Sequence, residues 1–119
     1  MKKAIFVGNV GQDADFKTDA TGNTFATFSV GISVGTKEKP KTDWVEVICG
    51  DKQLAIAKLI KQGCKVLVEG FPTVSAYLNK ENKPTASLKL YAHYIDILVF
   101  KSPNHTNEVT ATKPQQEAV

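Results

Sequence analysis

The sequence predicts an all-β domain, a five-stranded Greek-key barrel with one helix between its third and fourth strands. Three observations point there. From Thr24 to Val34 the residues alternate, with Ala26, Phe28, Val30, Ile32 and Val34 on one face and Phe25, Thr27, Ser29, Gly31 and Ser33 on the other. That period of two marks a long half-buried strand. β-rich runs recur on both sides of one helical stretch. Their order, three strands, a helix and two strands, fits such a barrel.

Taken in order, residues 4–10 form the first strand, which resumes near Asp15–Thr18. Thr21-Gly22-Asn23 is a turn signal before the second strand. Gly35 to Lys41 is a lysine-rich loop, and Asp43 to Cys49 is the third strand, with Val45, Val47 and Cys49 facing opposite to Trp44, Glu46 and Ile48. Asp51 is placed to cap a helix and Gly63 to end it, with Ala55, Ile56, Leu59 and Ile60 as its apolar stripe. Val66 and Val68 begin the fourth strand, which bends at Gly70 and Pro72 and continues to Leu78. After a turn over Asn79 to Lys83, the last strand runs from Thr85 to Phe100. Its apolar parity switches from Leu88, Leu90 and Ala92 to Ile95, Ile97 and Val99, which predicts a bulge near His93-Tyr94. The pattern suits the OB-fold, and other small barrels share it. Residues 1–101 make one domain, and the polar residues 102–119 a flexible tail.

Composition narrows the function. The chain has 119 residues, 42% of them hydrophobic, enough for one core. The net charge of +3 is only mildly basic, yet all fifteen basic residues are lysine. Lysine contacts phosphate as a point charge, whereas arginine reads bases bidentately, so a polyanionic ligand would be held by its backbone. Cys49 and Cys64 form no Cys-x-x-Cys pair and read as small buried hydrophobes in a reduced compartment. The apolar run after Met1-Lys2-Lys3 is too short for a signal peptide, and no segment is long enough to cross a membrane, so the expected location is the cytoplasm. The Asn104-His105-Thr106 sequon is then a chance match.

Catalysis finds little support. The two histidines are His93 and His105; there is no Gly-x-Ser-x-Gly elbow, no phosphate loop and no dinucleotide fingerprint at Gly8 and Gly11. No spacing gathers metal ligands, so neither metal nor cofactor is expected. The constellation that does emerge is aromatic residues on the polar faces of strands, interleaved with lysines: Trp44, Tyr77, Phe25, and Tyr91 beside Lys89. Exposed aromatics can stack nucleobases while lysines hold phosphates. Each aromatic could equally pack against a loop, the helix or a partner subunit. The loop bearing Lys37, Lys39 and Lys41 is a solvated segment or a hairpin that closes over a strand of DNA.

Four runs, Gly8-Asn9-Val10-Gly11, Phe28-Ser29-Val30-Gly31, Thr42-Asp43-Trp44 and Gln62-Gly63-Cys64-Lys65-Val66-Leu67-Val68-Glu69-Gly70, together resemble the bacterial single-stranded DNA-binding protein family over about residues 3–100. The resemblance implies an OB-fold homotetramer that wraps single-stranded DNA without strong sequence preference in replication, recombination or repair. It implies base stacking on Trp44 and on Tyr77, a basic contact from Lys52 where the helix region opens, and Lys17 in place of the family's arginine. Lys3, Lys37, Lys39, Lys41 and Lys89 complete the expected phosphate contacts, with Phe25 and Tyr91 as further stacking candidates.

The chain departs from the family in ways that matter. Cys49-Gly50 replaces the aromatic before the helix, none stands near Thr36, and Val45-Glu46 replaces His-Arg. The acidic, phenylalanine-ended tip is absent, since the sequence ends Gln116-Glu117-Ala118-Val119, so recruitment of repair enzymes by that route is not expected. Two other roles fit the same features: a primosomal-type OB protein, often dimeric, that assembles replication-restart partners, and an accessory subunit whose aromatics serve a protein interface.

Overall fold

Strand alternation translates directly into a closed ring. The computed structural model describes residues 1–100; the expected tail, with Asn104 and His105, lies outside them. β1 (Ala4–Val10) and the short β2 (Asp15–Thr18) are followed by β3 (Thr24–Gly35), β4 (Pro40–Cys49), β5 (Lys65–Leu78) and β6 (Pro84–Val99). β1 pairs with β5, β5 with β6, β6 with β4, β4 with β3, and β3 returns to β1 through Asn9↔Gly31 and Val10↔Val30. β2 extends β3 at its start. Only the β4–β6 pairing is parallel. The result is the expected five-stranded OB-fold barrel, with the strand after Gly11 resuming at Asp15 as the sequence implied.

The interior is filled by alternate residues of the five ring strands. Phe28 and Val30 from β3, Val45 and Val47 from β4, Val66 and Val68 from β5 and Leu90 from β6 are fully buried. The expected bulge is present: Glu69 faces Tyr94 and Gly70 faces Ala92, so His93 is the extra residue. Its carbonyl accepts a hydrogen bond from Gln53 Nε2 at 2.8 Å. A second extra residue, Leu98, lies between Ile97 and Val99.

The helix is shorter than the sequence suggested. A 3₁₀ turn at Asp51–Gln53 leads into a single α turn, α1 (Leu54–Ala57). Gly50, not Asp51, occupies the cap position, and no side chain caps it. The expected stripe is half right: Ile56 and Ile60 pack on the core, Ala55 and Leu59 are exposed, and Leu54 and Ala57 turn inward in their place. The amides of Leu59 and Ile60 bond to the carbonyls of Ile56 and Ala57, three residues back. Residues three apart share a side in both kinds of turn, so Leu54, Ala57 and Ile60 line the inner edge, with Ile56 beside them. Gly63 has φ +94 but lies well past the end of α1.

Two arms leave the barrel. β6 contacts β4 only from Leu88 to Tyr91, yet β5 and β6 stay paired out to Leu78↔Pro84. Beyond the barrel this hairpin has no sheet beneath it, so Val74 and Leu78 are open to solvent although they lie opposite Tyr77. The β3–β4 hairpin, closed by Gly35↔Pro40, forms the other arm.

Two outcomes follow. A Cβ at Gly8 would strike the Gly31 carbonyl where β1 meets β3. Gly8→Ala therefore destabilises by about 2 kcal/mol, a fall of roughly 10 °C in Tm; an unchanged Tm would contradict this closure. Burial pushes the Cys49 thiol up to about 12 from 9.0. The folded thiol keeps its proton longer than the unfolded one, so its contribution is intact below about pH 9 and lost as pH rises toward 12. The alkaline fall in Tm is accordingly smaller in Cys49→Ala than in the unaltered chain, as melts across that range will show.

Candidate nucleic-acid interface

The outward residues of β3, β4, β6 and β5 fall into rows fixed by register. Ser29, Glu46, Lys89 and Thr73 form one row, and Thr27, Ile48, Tyr91 and Phe71 the next. Trp44 pairs with Gly31 on one side and borders Ser87 on the other. The ring strands thus align Trp44, Lys89 and Tyr91 on one face of the barrel, the face the sequence had marked by polar alternation.

Trp44 is the best-defined element of this face. Its indole lies over two glycines: a Cβ at Gly11 would come 2.7 Å from Trp44 Cζ3, and one at Gly31 would come 3.0 Å from Cη2. The outer edge of its six-membered ring is thereby seated against these two glycines. The residue is still 57% exposed, so much of the indole is open to a flat ligand. Beside it, an open groove of about 410 Å³ runs between Thr42 and Trp44 on β4 and Val74, Ala86 and Leu88 on the β5–β6 arm.

The remaining candidates are distributed around this face. Tyr77 sits on the β5–β6 arm opposite Thr85, half exposed and on the same outward parity as Thr73. Lys37 and Lys39 are on the β3–β4 loop, and Lys41, the second residue of β4, lies 4.0 Å from Asp43. At the opposite end, Lys52 is exposed on the 3₁₀ turn, next to His93 in a second open depression. Phe25 is half-buried at the start of β3, with Lys17 as its cross-strand neighbour on β2; Lys17 also approaches Asp15 at 3.8 Å. Lys3 is set apart from Trp44 and is held by Glu69 at 2.8 Å. These surface pairs are worth little energetically and leave the lysines available to a stronger anion.

Phe71 was missed by the sequence reading. It lies beside Tyr91 on the outward face, half exposed, with Lys2 Nζ 4.7 Å from its ring centre. Its parity with Tyr77 along β5 was a usable signal.

Comparison with known proteins identifies the family and the fold. The model of the single-strand binding protein family matches residues 1–98. A single-stranded DNA-binding protein of Bacteroides thetaiotaomicron is 25% identical over 127 residues, covering 98% of this chain and 79% of the relative. A Plasmodium falciparum SSB solved in complex with ssDNA has a TM-score of 0.61 and 24% identity, covering 86% of this chain and 96% of that one. A mitochondrial single-stranded DNA-binding protein of S. cerevisiae has a TM-score of 0.64 and 18% identity, over 84% and 97% of the two chains.

The glycine floor under Trp44 can be tested directly. A Cβ at Gly31 meets the far edge of the indole and Thr42 Cγ2, at 3.0 and 3.1 Å, rather than backbone. Gly31→Ala therefore lifts the ring and shifts its fluorescence to longer wavelength, while Tm falls by less than in Gly8→Ala. An unshifted spectrum would show that the ring does not rest there.

Proposed function

The chain belongs to the single-strand binding protein family, and from that premise we propose that it coats single-stranded DNA by stacking bases on Trp44 and its neighbours while lysines take the phosphates. Binding of single-stranded DNA goes with family membership, and the role is one of binding rather than catalysis. The observation that carries the residue assignment is the exposed Trp44 indole, its ring edge seated against Gly11 and Gly31, on the same outward side as Lys89 and Tyr91.

Energetics support a shared site. Stacking supplies about 1–3 kcal/mol per base, so Trp44 and Tyr77 alone give roughly 2–6 kcal/mol. That is short of the ~8 kcal/mol of micromolar binding. Tyr91 and Phe71 add stacking surface, and the lysines of the two arms and of the 3₁₀ turn add phosphate contacts.

The assembly belongs to the same proposal. Ile5 and Val7 project from β1, 57% and 41% exposed, and Leu98, Val99 and Phe100 are exposed at the end of β6. Such apolar surface is a feature of subunit contacts, and it supports a homotetramer in which several barrels share one strand of DNA. Among the described residues no helix is long and apolar enough to cross a membrane. The proposed setting is the cytoplasm, in replication, recombination or repair.

Titration with oligo-dT quenches the sole tryptophan, Trp44, and the quenching weakens with salt at a log–log slope of about −0.7 per phosphate neutralised. Trp44→Ala weakens binding in a mobility-shift assay by about 1–3 kcal/mol and leaves the mass of the assembly unchanged. Dissociation of the assembly by Trp44→Ala would instead make the indole an interface residue. No quenching and no mobility shift at low salt would remove the coating role.

A further inference from the structure

The proposed stacking face carries one residue that phosphate binding does not explain. Glu46 projects outward from β4, half-buried, two residues from Trp44 and level with Ser29 and Lys89 on the flanking strands. A carboxylate at that place repels the DNA backbone. The ordinary explanation is an ion pair with Lys89 across the strands. The four ion pairs among the described residues are Lys3–Glu69, Lys17–Asp15, Lys41–Asp43 and Lys61–Asp13, and Lys89 is in none of them. Nor does the Glu46 carboxylate accept a hydrogen bond from a described residue, whereas the side-chain oxygens of Asp13, Asp19 and Asn79 each accept one from a backbone amide.

We infer that Glu46 reads the edge of a base stacked at Trp44 and favours cytosine over thymine there. Two residues along a strand span about 6.7 Å, so a base stacked on the exposed indole lies within reach of the Glu46 side chain on the same face of β4. Cytosine offers an exocyclic amino group, a donor that a carboxylate accepts. Thymine presents carbonyl oxygens on both sides of its single imide N–H, and these repel a carboxylate. The two pyrimidines have the same ring size, so stacking on Trp44 differs little between them and the edge contact decides. Lys89, beside Glu46, remains available to the phosphate that follows the base.

This inference rests on the stacking role of Trp44, and its test separates the two. Oligo-dC and oligo-dT of equal length are titrated against the full-length protein, with Trp44 quenching and mobility shift as readouts, for the unaltered chain and for Glu46→Ala and Glu46→Gln. The ratio of dC to dT affinity falls roughly tenfold in Glu46→Ala, because dT binding strengthens as the repulsion goes and dC binding loses its acceptor. Glu46→Gln, which keeps an acceptor oxygen but adds a donor, gives an intermediate ratio. Melting curves establish that both variants fold. A ratio unchanged by Glu46→Ala, with quenching intact, overturns the role of Glu46 while the stacking platform stands. Binding of both oligonucleotides without any Trp44 quenching overturns both.

Discussion

The closure between β1 and β3 is the contact on which the rest depends. It consists of two residue pairs, Asn9↔Gly31 and Val10↔Val30, and it is possible because Gly8 presents no side chain to the Gly31 carbonyl. Without it the same strands would form an open sheet with unpaired edges, which proteins have to cover or charge. With it, Val10 and Val30 are drawn into a common interior with Phe28, Val45 and Val68. Gly31 serves both sides of the wall. Its backbone closes the barrel, and its missing side chain leaves room for the outer edge of the Trp44 indole on the outside. Fold and platform are therefore coupled at one residue.

A barrel of this size has no room inside for a ligand, since side chains fill it. Binding chemistry must sit on the outer surface, and the period of two decides which residues reach it. β4 supplies Val45, Val47 and Cys49 to the core and Trp44, Glu46 and Ile48 to the surface. The parallel seam with β6 then sets the order of the surface rows, placing Lys89 by Glu46 and Tyr91 by Ile48. Where the strands outrun this seam, they separate into two arms and leave the groove beside Trp44.

Most of this was legible in the sequence because alternation is a short-range signal. The faces of β3 and β4 and the bulge at His93 all follow from the parity of neighbouring residues, and the structure bears them out. The helix was misread in part because its apolar residues suit an α stripe at Ala55, Ile56, Leu59 and Ile60, whereas the link from β4 to β5 holds only one α turn between 3₁₀ turns, which keeps Ile56 and Ile60 inward but exchanges Ala55 and Leu59 for Leu54 and Ala57. That choice is imposed by the barrel: the Ile60 carbonyl must accept from the Ala14 amide, which anchors the segment against the chain after β1. The glycine bed of Trp44 was illegible for a related reason. Gly11, Gly31 and Trp44 come from three separate parts of the chain, and only the register of β1, β3 and β4 brings them together.

The composition of the outer face also limits what it can distinguish. With no arginine in the chain, bidentate reading of guanine by a guanidinium is excluded, and lysines held at points along the backbone respond to charge rather than sequence. Aromatic stacking is equally tolerant, because every base has a flat face. A surface made only of these groups would bind any single strand in proportion to its stacking strength. Discrimination then has to come from a fixed acceptor or donor at the edge of a stacked base, and the carboxylate nearest the Trp44 platform along its own strand face is Glu46. On the proposed reading, the carboxylate that repels phosphate is the same one that gives the face a chemical preference. A modest loss of general affinity and a modest gain in base selectivity would then be two consequences of one side chain.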